Sequence, residues 1–119
     1  NPPIRDKSHR DMLWEGISKG IIDVVGSDHA PHTIEEKKQK YPDSPSGMTG
    51  VQTLLPIMLN FVNKGKLSIF DVVRLLSVNP CNIYKVMNKG KVDVGYDADL
   101  TVVDLNKEFR ISNDWIKSR

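Results

Sequence analysis

The residues best suited to chemistry lie in one short stretch, where Asp28, His29 and His32 fall within five positions. A carboxylate and two imidazoles can ligate a divalent metal ion, and a carboxylate can also move a proton between a water molecule and a leaving group. The alternative is that Asp28 caps a turn and that both histidines are surface residues of a polar loop. Their spacing alone leaves both interpretations open.

The segments before this stretch predict how it is positioned. Residues 6–20 carry apolar side chains at helical spacing and end in Gly20, a typical C-cap, so we predict a helix there. The run from Ile21 to Val25 is mostly apolar and rich in β-branched residues, which is typical of a buried parallel strand. A helix followed by such a strand indicates an α/β fold, and α/β barrels carry their active sites where strands end. We therefore expect Asp28 at the carboxyl end of a strand, facing a cavity.

A long segment without apolar periodicity contains these residues and continues beyond them. Residues 27–50 include three prolines and two glycines, which predicts an irregular loop. Loops on a rigid scaffold often carry catalytic residues, so this loop favours the catalytic interpretation of Asp28. We expect residues 33–50 to close over bound substrate and to be the least ordered part of the chain without it.

Further helices are predicted downstream. Apolar residues at three- and four-residue steps indicate an amphipathic helix over residues 51–63. The next helix should begin at Ser68, because Ser68 and Asp71 have capping-box spacing, and should stop at Asn79-Pro80. Residues 81–88 are long enough for one more short helix.

The character of the chain changes after Gly90. From Val92 onward, apolar residues alternate with polar ones, a pattern typical of β-strands. We therefore predict two parts, with residues 1–89 forming an α/β unit and residues 90–119 forming β structure of a second unit.

Composition excludes several classes of partner. The 119 residues carry a net charge of +2 and 7% aromatics, so we expect neither nucleic-acid binding nor binding to an anionic membrane. The sequence has no apolar run near the roughly 18 residues of a membrane span, and its first residues lack the apolar core of a signal peptide, so we expect a cytoplasmic protein. The single cysteine, Cys81, excludes an internal disulfide and is interpreted as a half-buried structural residue.

The histidine count limits any metal site. His9, His29 and His32 are the three imidazoles, and they form neither an HxH nor an HExxH pattern, whereas catalytic zinc normally has about three protein ligands. His9 is interpreted as a solvated residue. These side chains therefore cannot complete a zinc site by themselves.

The order of short motifs resembles the dihydroorotase family of the amidohydrolase superfamily. The motifs are Asn1-Pro2-Pro3-Ile4-Arg5, Gly20-Ile21-Ile22-Asp23, Ser27-Asp28-His29-Ala30-Pro31-His32, Glu36-Lys37, Pro45, Gly47, Gly50, Asn79-Pro80 and Gly95-Tyr96-Asp97-Ala98-Asp99-Leu100. The last motif is shared across the superfamily, whereas Asn-Pro-Pro combined with Ser-Asp-His-Ala-Pro-His is more specific. Related hydantoinases, dihydropyrimidinases and allantoinases usually vary one of these two.

The resemblance implies a role for individual residues. Asp28 would bind a metal ion at the end of the eighth barrel strand and serve as general base and acid. Asn1 and His32 would contact the substrate, as would the backbone of Ser46 and Gly47. His29 would support the strand end without ligating.

The resemblance also implies a fold and a cofactor. The chain would be the C-terminal fragment of a (β/α)8 TIM-type barrel, about 250 residues when complete, followed by part of a small β-sandwich. One or two zinc ions would be held mostly by upstream residues: an HxH pair, a carboxylated lysine and two further histidines. The fragment itself would be inactive.

The activity implied is the reversible hydrolysis of dihydroorotate to N-carbamoyl-aspartate in pyrimidine biosynthesis, through metal-activated water. Partners would be this small substrate and the remainder of the same polypeptide, and the resemblance leaves open a homodimer or a complex with aspartate carbamoyltransferase. The alternatives are a hydantoinase or allantoinase acting on another cyclic ureide, and a catalytically dead homologue retained as an assembly subunit.

Overall fold

A computed structural model describes Ile4 and residues 6–118. In these residues the regular elements are helical: α1 Lys7–Ser18, α2 Ile34–Lys37, α3 Leu54–Asn63, α4 Ile69–Val73, the π-helical segment Arg74–Val78, and α5 Asn79–Tyr84. They belong to two compact units. Unit 1 comprises the described residues up to Val25 together with Leu67–Leu100, and unit 2 comprises Gly26–Lys66 together with the chain from Thr101 onward.

Unit 1 contains two helices whose ends follow sequence rules. The predicted first helix is confirmed as α1, and the Asp6 carboxylate caps it by accepting the Ser8 N–H at 2.8 Å. The predicted capping box of α4 is also confirmed, because the Asp71 N–H donates to the Ser68 hydroxyl and the Ser68 N–H donates to the Asp71 carboxylate. Those bonds from Ser68 hold the pKa of Asp71 below its ordinary value.

The prediction that the helix stops at Asn79-Pro80 is wrong. The chain passes from α4 through the π-helical segment directly into α5, with Pro80 in the first turn of α5. The Asn79 N–H bonds to the Arg74 carbonyl, five residues back, so the helix is widened just before Pro80. Wider spacing relieves the clash that a proline ring makes with the carbonyl four residues earlier.

The strand predicted at Ile21–Val25 is not found, since the described residues form no strand. A strand needs a neighbour that accepts and donates its backbone hydrogen bonds. Here residues of the π-helical segment and α5 make those bonds instead. Arg74 donates to the Ile22 carbonyl at 3.4 Å and Asn79 to the Asp23 carbonyl at 2.8 Å, while the Val25 N–H donates to the Leu75 carbonyl at 3.4 Å.

The C-terminal residues, 90–119, do not form the expected strands in their described part either. Residues 92–105 are turns and irregular backbone, and Val94 and Val102 are 98% and 95% exposed. Alternating apolar residues stabilise a sheet only when a second layer covers one face. The α/β class and the β-sandwich are therefore not confirmed by the described residues.

The two units have separate small cores. Val72, Leu67 and the fully buried Leu75 form the buried apolar set of unit 1, and Cys81 is half-buried there, as predicted. In unit 2, Met58 on α3 and Thr53, just before α3, are both buried. The helix predicted over residues 51–63 is thus confirmed, with α3 beginning three residues later.

Side chains of α3 and of the turn before it form hydrogen bonds with the backbone of residues 105–117, in the C-terminal part of unit 2. The Gln52 amide donates to the Trp115 carbonyl at 2.8 Å and accepts the Lys117 N–H at 2.9 Å. Asn63 donates to the Leu105 carbonyl at 2.9 Å.

Among the described residues, none of the helices has both the length and the apolar composition of a membrane span.

Candidate functional site

Asp28 has an unusual backbone conformation. Its φ is 45°, in the left-handed region, and its side chain is exposed. Aspartate and asparagine enter this region more readily than other residues with a Cβ, yet the conformation still costs free energy. Such residues cluster at functional sites, where the surrounding structure holds them in place. The conformation motivates the hypothesis that Asp28 is functional, which stays a prediction, because Lys85 and Asn88 adopt the same region.

The residues after Asp28 anchor the far end of the loop. His29 and Met48 form an isolated parallel bridge, and the Ala30 N–H donates to the Met48 carbonyl at 3.0 Å. The His29 Nδ1 accepts the N–H groups of Gly50 at 3.0 Å and Val51 at 3.2 Å. Since Nδ1 is an acceptor, a neutral His29 ring carries its proton on Nε2. His29 thus holds the far end of the loop, at Gly50 and Val51, next to Asp28, and its predicted role at the end of a strand stays a prediction.

Two glycines allow the loop to return this closely. Gly47 has a φ of +107°, and a Cβ there would lie 2.7 Å from the Ala30 Cβ. A Cβ on the buried Gly50 would lie 2.3 Å from the Ser27 carbonyl oxygen. Any larger residue at either position would push the loop away from the backbone beside Asp28.

Lys37, at the end of α2, holds the middle of the loop. Its ammonium group donates to the Pro45 carbonyl at 2.8 Å and to the Gly47 carbonyl at 2.9 Å. The Ser44 hydroxyl donates in turn to the Lys37 carbonyl at 3.2 Å. Residues 44–47 are therefore tied to α2 by three hydrogen bonds. The predicted closure of residues 33–50 over substrate stays a prediction.

His32 lies just before α2 and is half-buried. Its Nδ1 is 3.7 Å from the Glu36 carboxylate, an ion pair when the imidazole is protonated. Glu36 also accepts the Thr33 N–H at 2.8 Å, and the Glu36 N–H donates to the Thr33 hydroxyl, which completes a capping box. These bonds fix α2 relative to His32.

The capping box predicts an acid-sensitive α2. The Thr33 N–H, then the Thr33 hydroxyl and the charge of His32, hold the pKa of Glu36 below its ordinary value. A lowered pKa in the folded state stabilises α2 above the unfolded pKa of about 4.3, and that contribution is lost as the pH falls through the folded pKa. The protection of amides 33–37, measured as their exchange rate relative to the intrinsic rate at each pH, should therefore fall on acidification.

A pair of variants checks the source of that acid sensitivity. Glu36→Gln keeps an oxygen acceptor of nearly the same shape but does not titrate. The loss of amide protection at residues 33–37 in acid should therefore disappear in this variant. Glu35→Gln, a neighbouring exposed glutamate, should behave as wild type. The same pH dependence in Glu36→Gln and wild type would assign the effect to another group.

One predicted site residue, Gly47, lies close to the segment that carries Asp28 and His32. Gly47 lies against Ala30, midway in sequence between Asp28 and His32, and Ser46 beside it is exposed. Asn1, predicted to contact the substrate, lies outside the described residues, as does Arg5 of the same motif.

The described residues contain no group of three His, Cys, Asp or Glu side chains that could hold a metal ion. Asp28 is an exposed carboxylate and can supply one oxygen ligand. The Nδ1 of His29 is already occupied by backbone N–H groups. The donor set thus fits one ligand of a metal site.

Two contributors to this site were not predicted. Residues 27–50 were predicted to be an irregular loop, yet α2, Ile34–Lys37, lies within them and Lys37 binds two carbonyls. The signal for α2 is present in the sequence, because Thr33 and Glu36 have capping-box spacing. The Lys37 contacts cross eight and ten residues, and no local pattern encodes them.

Known proteins resemble this chain over nearly all of its length. It is 44% identical over 110 residues to a protein of Pyrococcus horikoshii named dihydroorotase, covering 92% of this chain and 25% of that protein. It is 40% identical over 121 residues to a dihydroorotase of Methanosphaera stadtmanae, covering 100% of this chain and 28% of that protein. The chain thus spans about a quarter of the length of these curated relatives.

The chain also resembles solved structures of hydantoinases. The chain superposes on the L-hydantoinase (dihydropyrimidinase) of Arthrobacter aurescens with a TM-score of 0.74 and 37% identity, over 82% of this chain and 23% of that one. A D-hydantoinase from a Thermus species gives a TM-score of 0.73 and 31% identity, over 82% and 22%. The sequence model described as the amidohydrolase family matches residues 5–118. This chain therefore belongs to the amidohydrolase family.

Proposed function

We propose that the whole protein carrying this chain is a dihydroorotase, which interconverts dihydroorotate and N-carbamoyl-aspartate. The observation that carries the proposal is the match of about 40% identity between almost the entire chain and proteins of that name. The left-handed backbone of the exposed Asp28, at the start of a loop that is held by hydrogen bonds, also supports it. The activity belongs to the whole protein, and this chain alone is inactive.

The proposal includes the fold of the whole protein. The run Ile21–Val25 would pair, as the last strand of a (β/α)8 barrel, with strands outside this chain. Residues 1–89 would complete the barrel and residues 90–119 would join a small β-sandwich. The exposure of Ile21, at 72%, and of the tail valines supports this, because other chain segments would cover these apolar residues.

Asp28 is the proposed proton carrier. Hydrolysis joins a water oxygen to the ring carbonyl carbon and breaks the bond from that carbon to the ring nitrogen. The Asp28 carboxylate takes one proton from the water and delivers it to the departing nitrogen, and in the reverse direction it returns the proton. Asp28 is exposed, which supports a carboxylate that can reach water and substrate.

The remaining site residues would hold the substrate. Asn1, the His32 ring and the Ser46–Gly47 backbone are proposed to contact it. A divalent metal, zinc in our proposal, would polarise the carbonyl and lower the pKa of water, with Asp28 as one ligand and the others outside this chain. The proposal also includes a cytoplasmic location and one of two assemblies, a homodimer or a complex with aspartate carbamoyltransferase.

A hydantoinase is the second candidate, because the solved structures reported above are hydantoinases. We expect the purified whole protein to hydrolyse dihydroorotate with a kcat/KM at least about tenfold above that for hydantoin or allantoin. A preference for hydantoin would support the second candidate. Absence of turnover on all three in the metal-loaded protein would support a catalytically dead homologue.

A further inference from the structure

We propose that Lys37 is a positioning residue for substrate, which orients the Ser46–Gly47 backbone by binding the carbonyls on either side of Ser46. The inference rests on the proposed function, which places substrate against that backbone. Lys37 itself would not contact the substrate. It would act through peptide groups that its ammonium holds in one orientation.

The position of Lys37 is set by α2. The Thr33–Glu36 capping box fixes the start of this helix, and Lys37 is its last residue. The Lys37 carbonyl accepts a hydrogen bond from the Ser44 hydroxyl. From there its ammonium donates to the Pro45 carbonyl at 2.8 Å and to the Gly47 carbonyl at 2.9 Å. One side chain therefore defines the orientation of two peptide groups, the one between Pro45 and Ser46 and the one that follows Gly47.

These bonds have a consequence on the opposite side of the backbone. The Pro45–Ser46 peptide is trans, so its N–H, which belongs to Ser46, points away from the carbonyl that Lys37 binds. A hydrogen bond from a charged group also polarises the peptide and makes that N–H a stronger donor. Ser46 is exposed, so its N–H can meet a carboxylate of an anionic substrate.

The neighbouring lysine provides a matched comparison. Lys38 is exposed and carries the same charge one residue later, and its ammonium has no hydrogen bond or ion pair to any residue in the described chain. An effect of net charge near the site would be shared by Lys37 and Lys38. An effect of backbone orientation would be confined to Lys37.

The test uses three variants of the whole metal-loaded protein: Lys37→Met, Lys37→Arg and Lys38→Met. For Lys37→Met, we expect KM for dihydroorotate to rise about tenfold or more, with kcat changed less than about threefold, because the bonds lost are to a charged group. Lys37→Arg keeps a donor that can reach two carbonyls and should recover most of the loss. Lys38→Met should match wild type.

A second measurement needs no substrate. Amide exchange of residues 44–48 should accelerate in Lys37→Met, and stay at the wild-type rate in Lys38→Met, because the carbonyls lose their partner. The inference would be overturned if Lys37→Met left either the exchange of residues 44–48 or KM unchanged. It would also be overturned if KM rose equally in Lys38→Met. Wild-type protein that binds metal but does not hydrolyse dihydroorotate would instead overturn the proposed function.

Discussion

Replacing Asp28 with asparagine in the whole protein should lower kcat about 10²- to 10⁴-fold, the usual contribution of a general acid–base group. Asparagine has nearly the same shape and tolerates the left-handed backbone that Asp28 adopts at a φ of 45°. The side chain is exposed in this chain, and the near-equal volume of asparagine keeps any neighbouring packing. The unfolding midpoint should therefore stay close to that of wild type while turnover is lost.

The control for this variant is Asp43→Asn, the same change at an exposed carboxylate of the same loop. Turnover of Asp43→Asn should equal that of wild type. Metal content of Asp28→Asn, measured on the purified protein, should fall less than activity, since other ligands lie outside this chain in the proposed site. Turnover of Asp28→Asn within about threefold of wild type would eliminate Asp28 as the proton carrier, because it falls well below the expected contribution.

Elements with local causes were predictable from the sequence. The helices α1 and α3 depend on apolar spacing, and the Ser68–Asp71 capping box depends on two residues three positions apart. The capping box at Thr33 belongs to the same class and could have predicted α2. Each of these signals lies within one or two helical turns.

Features that depend on distant residues were not predictable in the same way. The run Ile21–Val25 has the composition of a strand, but a strand forms only with a paired neighbour, and its carbonyls here bond to Arg74 and Asn79. Pro80 predicted a helix end, yet the π-helical segment before it accommodates the ring.

The candidate site shows the same division. Asp28 and His32 stood out because a carboxylate and two imidazoles lie in a short stretch, whereas Lys37 acts on carbonyls up to ten residues away. The close approach of Gly50 to Ser27 spans more than twenty residues, and glycine spacing does not reveal it. Contacts of this kind decide how the loop is held beside Asp28.

Gly50→Ala should therefore be the most damaging small substitution in the loop. The new Cβ would lie 2.3 Å from the Ser27 carbonyl oxygen and 3.1 Å from the Ser27 Cβ, distances that require the backbone to move. Overpacking of this kind typically costs about 1–3 kcal/mol of folding free energy. Movement of Gly50 also breaks the bond from its N–H to the His29 Nδ1, one residue from Asp28.

Activity of Gly50→Ala should fall more than stability, because a displacement of about 1 Å at a reacting group can reduce the rate about 10²-fold. We expect a loss of kcat/KM of that order, measured with the unfolding midpoint of the same preparation. Gly26→Ala is the control, since a Cβ there meets nothing within 4 Å in the described residues and Gly26 also adjoins Ser27. Equal activity of Gly50→Ala and Gly26→Ala would show that the contact between Gly50 and Ser27 does not hold the backbone that positions Asp28.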